Sequence, residues 1–82
     1  MKISYRPKFM EELKNLPEVI QRKFDKQIEF LKTDIRYPSL HAKKYEEAGH
    51  DIWQARVDKN VRFYFKIEND AYIFLSIKKH PK

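Results

Sequence analysis

The last third of the chain alternates apolar and polar residues over three stretches, a pattern that commits it to antiparallel strands joined by tight turns. Trp53, Ala55 and Val57 alternate with Gln54 and Arg56. Val61, Phe63, Phe65 and Ile67 alternate with Arg62, Tyr64 and Lys66. Ala71, Ile73, Leu75 and Ile77 alternate with Tyr72, Phe74, Ser76 and Lys78. Successive side chains of a strand point to opposite faces, and directly paired residues share a face, so a slip of one residue reverses every side chain. Keeping the odd positions together on a buried face requires Val57 to pair with Val61 and Ile67 with Ala71. Both hairpins then need odd-length loops, Asp58-Lys59-Asn60 and Glu68-Asn69-Asp70. A two-residue Asn69-Asp70 turn is disfavoured on this reasoning, because it pairs Ile67 with Tyr72 and mixes the faces. The even face carries Arg56, Arg62, Tyr64, Tyr72, Phe74, Lys66 and Lys78, and His80 if the extended geometry continues that far.

Upstream the period changes. Lys2 to Tyr5 reads as a short strand, and Pro7 suits the first turn of a helix, where its missing N–H costs nothing. Phe9, Met10, Leu13 and Leu16 follow at helical spacing. Pro17 restarts a helix with Glu18 near its positive end. Ile20, Phe24, Ile28, Leu31 and Ile35 recur at spacings of three and four, opposite Arg22, Lys26, Glu29 and Thr33, which predicts an amphipathic helix of about five turns. Ser39 to His50 is the least regular stretch and holds room for one short strand near Leu40 to Tyr45. The expected fold is α+β: two N-terminal antiparallel helices on one face of a mainly antiparallel twisted sheet, in the order β-α-α-β-β-β with one extra short strand allowed.

Eighty-two residues provide for one small core, so one domain spanning 1–82 is expected. The chain has no cysteine, which removes disulfides and thiolate metal sites. Its apolar runs fall far short of the roughly 20 residues of a membrane span. Met1-Lys-Ile-Ser-Tyr-Arg-Pro lacks the apolar core of a signal peptide. A cytoplasmic protein with no membrane partner is the expectation. Eighteen Lys and Arg against twelve Asp and Glu give a net charge of +6, which favours a polyanionic partner, either nucleic acid or an acidic protein.

The chemistry these residues can support is narrow. His41, His50 and His80 have no paired metal-ligand spacing, and the adjacent pairs Glu11-Glu12 and Glu46-Glu47 do not converge on one side of a regular element, so no metal site is expected. There is no glycine-rich phosphate loop and no nucleophile elbow. Metal-free RNA cleavage asks for less, because the ribose 2′-OH is the nucleophile and arrives with the substrate. The protein must orient it, move two protons and neutralise the phosphorane. Arginine suits the phosphate, and histidine or a lysine with cationic neighbours can transfer protons. Arg62, Arg56, His80 and the Lys43-Lys44 pair supply these types. Each also has a plain reading: Arg56 and Arg62 as solvent-facing strand residues, His80 as part of a chain end, and Tyr64, Tyr72 and Phe74 as either base-stacking platforms or cover for a partner. Trp53 is read as core rather than platform.

Taken in order, a short strand and two helices, a Lys-rich connection, Ile52-Trp-Gln-Ala-Arg56-Val, Asn60-Val-Arg62-Phe-Tyr-Phe and the closing Lys78-Lys79-His80 resemble the RelE/ParE superfamily of toxin–antitoxin toxins. The resemblance covers nearly the whole chain. It implies a type II toxin that acts as a ribosome-dependent mRNA endonuclease without metal or small-molecule cofactor, with ribosome and mRNA as targets and a cognate acidic antitoxin as partner. It further implies that Arg62 stabilises the scissile phosphate, that His80 serves in acid–base catalysis, and that Lys43 and Lys44 contact RNA or assist proton transfer. Arg56, Lys66, Lys78, Lys79 and Tyr64 would hold the RNA. Pro81-Lys82 departs from the tyrosine or arginine ending of many nuclease members, and lysine stands where some carry a glutamate base. The alternatives are a ParE-like gyrase-directed toxin, a catalytically inactive relic that binds only its antitoxin, and a general basic RNA-binding module. Which of His80 and the lysines is acid and which is base stays open.

Overall fold

The computed structural model describes residues 1–45 and 51–79. Strand β1 (Lys2–Tyr5) leads into α1 (Pro7–Lys14) and α2 (Glu18–Thr33). A single 3-10 turn (Pro38–Leu40) precedes β2 (Lys43–Tyr45), and β3 (Ile52–Arg56), β4 (Val61–Glu68) and β5 (Ala71–Lys79) follow. The strands form one sheet in the order β1-β5-β4-β3-β2, antiparallel except for the parallel β1–β5 pair. The expected α+β architecture is present, and the extra short strand is β2.

Local chemistry sets the helix boundaries. Pro7 opens α1 at its first turn, where no N–H is required. Glu18 stands in the first turn of α2, next to the positive end of the helix dipole. The helix stops at Thr33 rather than running on through Ile35, because Asp34 leaves the helical region (φ −163°, ψ 117°) and its carboxylate accepts bonds from the Arg36 backbone and guanidinium. Phe24, Gln27, Ile28 and Leu31 form the buried stripe of α2. Phe24 meets Phe63 edge-on, with ring centroids 5.3 Å apart, and Phe9 of α1 stacks on Phe74 at the same separation. Trp53 is half-buried and stacks on Phe65 at 6.2 Å, beside the core.

The first hairpin has the expected register. Arg56 pairs with Arg62, and the Val57 N–H donates to the Val61 carbonyl at 2.9 Å, which leaves the three-residue loop Asp58-Lys59-Asn60. Asp58 organises it. One carboxylate oxygen accepts the N–H groups of Asn60 and Val61, both at 2.8 Å, and the other lies 3.6 Å from the Lys23 ammonium of α2. Burial pulls the Asp58 carboxyl upward, but the two N–H donors and Lys23 together outweigh it and hold the group below the usual carboxylate range.

The second hairpin corrects the parity argument. Glu68 pairs with Ala71 and Ile67 with Tyr72, around the two-residue Asn69-Asp70 turn that the alternation disfavoured. Asn69 (φ 50°) and Asp70 (φ 61°) both occupy the left-handed region, which matches the twist of such a turn. The faces are not mixed, because β5 carries a bulge. Phe65 pairs with Phe74 and Tyr64 with Ser76, so Leu75 is an extra residue. Tyr72 and Phe74 consequently enter the core instead of the even face, Ile67 is exposed, and the original phase resumes with Ile77 paired to Phe63.

β1 stops at Tyr5, and the Arg6 N–H makes the last bond to β5, at Phe74. Past that point Glu12 of α1 takes the place of a neighbouring strand: its carboxylate accepts the Ser76 hydroxyl at 2.8 Å and the Ile77 N–H at 3.3 Å.

The two loops generate two predictions. Asp70→Gly relieves left-handed strain of about 1 kcal/mol and completes an Asn-Gly turn, so the variant should unfold at higher denaturant concentration than wild type, and Asp70→Val at lower. Asp58 has a depressed folded pKa, so its stabilisation is fully present above its unfolded value of about 3.9 and is lost as pH falls through the folded value. Asp58→Asn should therefore be less stable at neutral pH, by about 1 kcal/mol, with the gap to wild type closing below about pH 4 in urea titrations run at several pH values.

Candidate functional site

The open face of the sheet is ordered in cross-strand rows. Arg56 of β3 pairs with Arg62 of β4, and Arg62 pairs with Lys78 of β5, so three cations stand side by side. The next row contains Lys43, Gln54, Tyr64 and Ser76. The Lys78 ammonium sits 5.8 Å above the Tyr64 ring, a cation–π contact that ties the two rows together. Like charges placed directly opposite each other on a sheet are destabilising, so this row is a local cost to the fold.

Arg62 is the best defined of the cations. Only 8% of it is exposed, and its guanidinium donates to the Asp58 carbonyl at 2.8 Å and, at 3.4 Å, to the Val61 carbonyl. The loop built by the Asp58 carboxylate thus also aims the arginine. Among the described residues, Arg56, Arg62 and Lys43 form no salt bridge. A largely buried guanidinium satisfied by neutral carbonyls keeps its positive charge available for an anion.

Arg56, Arg62 and Lys43 converge on a pocket of about 120 Å³, whose wall also includes His41, Tyr45 and Gln54. Among the described residues, no carboxylate lines it. The Tyr45 hydroxyl donates to the Gln54 amide oxygen. On the far side of the sheet Gln27, 6% exposed, secures two edges of this pocket at once: its amide N–H group donates to the carbonyls of Arg56 (2.8 Å) and Ser39 (3.1 Å). The Ser39 hydroxyl donates back to the Gln27 amide oxygen at 3.1 Å.

The other residues singled out in the sequence are dispersed by the strand pleat. Lys44 pairs with Trp53 and faces away from Lys43, within 3.9 Å of the Asp51 carboxylate. Lys79 pairs with the buried Val61 and so leaves the row that Lys78 joins. Lys66 lies beyond Tyr64 along β4, 3.9 Å from Glu68. Tyr72 and Phe74 are core and offer no platform. His80 and His50 lie outside the described residues. Among those described, no group of three or more His, Cys, Asp or Glu side chains is placed to hold a metal ion, and no helix is long and apolar enough to cross a membrane.

His41 and Tyr45 line the pocket from outside the alternating stretches, and Gln54 lines it from the even face that the alternation assigned to Arg56. His41 sits in the irregular connection, where no period applies, and its one visible signal is its position after Tyr37-Pro38-Ser39-Leu40, a sequence prone to turn.

No family model and no curated protein matches the chain. Solved structures do. A YoeB/ParE toxin from Agrobacterium tumefaciens superposes with a TM-score of 0.80 over 99% of this chain and 100% of that one, at 11% identity. A chain of the archaeal RelE–RelB complex from Pyrococcus horikoshii gives 0.79 over 95% and 92%, at 18% identity, and YafQ from E. coli gives 0.79 over 96% and 92%, at 13% identity. Sequence identity this low with near-complete coverage is a likeness of architecture, and this chain has the RelE/ParE toxin fold.

Proposed function

We propose that the protein is the toxin of a type II toxin–antitoxin system and that it cleaves mRNA on the ribosome without a metal. The observation that carries this reading is the pocket where Arg62, Arg56 and Lys43 meet, with no carboxylate among the described residues of its wall. Such a pocket is shaped for a phosphodiester whose charge grows during reaction. In-line attack by the ribose 2′-OH on phosphorus forms a 2′,3′-cyclic phosphate and expels the 5′-oxygen. The charge on the phosphorane is greatest at the equatorial oxygens, where the fixed guanidinium of Arg62 acts. Arg56 shares that anion, and Lys43, across the pocket, serves RNA binding or proton transfer. Lys78 and Tyr64 extend the surface along β4 and β5 for the flanking backbone and base. His80 keeps the acid–base role that the resemblance implies, and Lys44, Lys66 and Lys79 contribute to the general field that attracts RNA.

An antitoxin fits the same charge. The Pyrococcus neighbour was solved as a RelE–RelB complex, and an acidic segment laid over the Arg56–Arg62–Lys78 row would relieve its repulsion while blocking substrate. A second reading, a gyrase-directed toxin, is favoured by the ParE part of the Agrobacterium neighbour's name. It needs the cationic face only for binding.

The test is to induce the protein in bacteria and map new mRNA ends. The proposal expects in-frame cleavage within codons and arrested translation; intact mRNA with a DNA-damage response would sink it in favour of the gyrase reading. Arg62→Leu should lower cleavage by about 100-fold to 1,000-fold. Because it removes a charge from a crowded cationic row, it should leave the thermal midpoint unchanged or raised, by up to about 1 kcal/mol of stability. Arg62→Lys should not restore activity, since a point charge lacks the two-pronged fork.

A further inference from the structure

We infer that Gln27 of α2 is a positioning residue: by bridging the carbonyls of Arg56 and Ser39 it sets the span across which the pocket holds a scissile phosphate. This rests on the endoribonuclease reading. It makes the turnover of the site depend on a buried side chain that lies on the far side of the sheet and touches no RNA.

The pocket opens where β2 and β3 diverge. β2 pairs with β3 from Tyr45 opposite Ile52 to Lys43 opposite Gln54, and the ladder goes no further. Arg56 lies beyond that last pair. Its neighbour Val57 donates its N–H to β4. Successive residues of an antiparallel strand direct their backbone groups to opposite sides, so the Arg56 carbonyl points to where β2 would have continued. A carbonyl held away from water without a donor is costly. The Gln27 amide supplies that donor at 2.8 Å. The same nitrogen reaches the Ser39 carbonyl at 3.1 Å, in the turn that leads to His41 in the pocket wall. Gln27 thus replaces the missing stretch of strand and still leaves the gap open on the cationic face.

The bonds dictate the residue type. Two carbonyls need two N–H donors on one atom, and the Ser39 hydroxyl, which donates back at 3.1 Å, needs an acceptor. A primary amide has that complement. A carboxylate lacks the donors, an ammonium or guanidinium lacks the acceptor, and an apolar side chain lacks both. Asparagine carries the same group on a stem one methylene shorter. One turn earlier on the same face of α2, Lys23 stands 3.6 Å from the Asp58 carboxylate, and the Asp58 carbonyl accepts from the Arg62 guanidinium. The helix therefore grips the end of β3 on both sides of Val57, with Gln27 at Arg56 and Lys23 at Asp58. A strand free to slide there would carry the cations away from the opposite wall. Near-attack geometry tolerates little of this, since a misplacement of about 1 Å can cost about 100-fold in rate.

The experiment compares single-turnover cleavage of mRNA in programmed ribosomes by wild type, Gln27→Leu, Gln27→Glu and Gln27→Asn, with Phe24→Leu as control. Phe24 belongs to the same buried stripe, so its replacement loosens the core while both carbonyl bridges stay. At a temperature where circular dichroism shows the variants folded, the three Gln27 variants should cleave about 10-fold to 100-fold more slowly at saturating protein. The protein concentration at half-maximal rate should stay within about 2-fold of wild type, because the cations that bind RNA remain; a loss confined to the maximal rate marks an interaction used in the transition state. Phe24→Leu should keep the wild-type rate although its thermal midpoint falls. Asparagine should fail with the others despite its amide, which separates reach from polarity. Wild-type rates in Gln27→Leu and Gln27→Glu, a defect that lies only in the half-maximal concentration, or an equal loss in Phe24→Leu would overturn the assignment and leave the nuclease reading in place. So would failure of all three Gln27 variants to fold. Programmed mRNA left intact by wild type would remove the nuclease reading and the assignment together.

Discussion

The cations of Arg56, Arg62 and Lys78 stand in one row because phenylalanines occupy the opposite face of the same strands. A pleated strand has two faces and no third choice. Once Phe63 of β4 and Phe74 of β5 pack against Phe24, with Phe65 against both, the intervening residues must point the other way. The energies are unequal. Each buried aromatic side chain stabilises by about 1.5–3 kcal/mol. A like-charge pair across strands costs at most about 1 kcal/mol. The core wins that contest easily, and a repulsive row of cations can be carried on its back.

Two polar anchors convert this arrangement into a site. Asp58 spends its carboxylate on the turn and its carbonyl on the Arg62 guanidinium, so the loop that reverses the chain also sets the direction of the arginine. Gln27 is a polar residue in the buried stripe of α2, where an apolar one would satisfy the helix. Its amide is fully used, joining the helix to the ends of two segments that border the pocket. Neither anchor lines the pocket, and both hold segments that border it.

Much of this was legible in the sequence. The helical and strand periods located every long element, and pairing of Val57 with Val61 followed from parity alone. Parity also placed Arg56, Arg62, Tyr64 and Lys78 on one face, where they stand. It failed at the second hairpin because it assumed an unbroken ladder. Asn69 and Asp70 can both turn left-handed, so a two-residue turn was available, and Leu75 absorbed the resulting change of phase. Tyr72 and Phe74 were misplaced for that reason. Treating Lys43 and Lys44 as a pair ignored that neighbours on a strand diverge, which β2 makes plain. His41 was hidden because left-handed geometry at a non-glycine residue leaves no periodic trace, and Gln27 because a lone amide in an apolar stripe looks like a tolerated exception until its partners are known.

The bulge at Leu75 also says something about how such a hairpin can change over generations. Removing that one residue would leave Phe65 opposite Phe74 and Arg62 opposite Lys78, since the pairing on either side of it is already regular. The irregularity therefore acts as a joint between two modules, one ending in the turn and the other in the cationic row. Insertions that would ordinarily reverse a whole strand can be taken up at the joint. The turn is free to drift in length and composition while the charged end keeps its register.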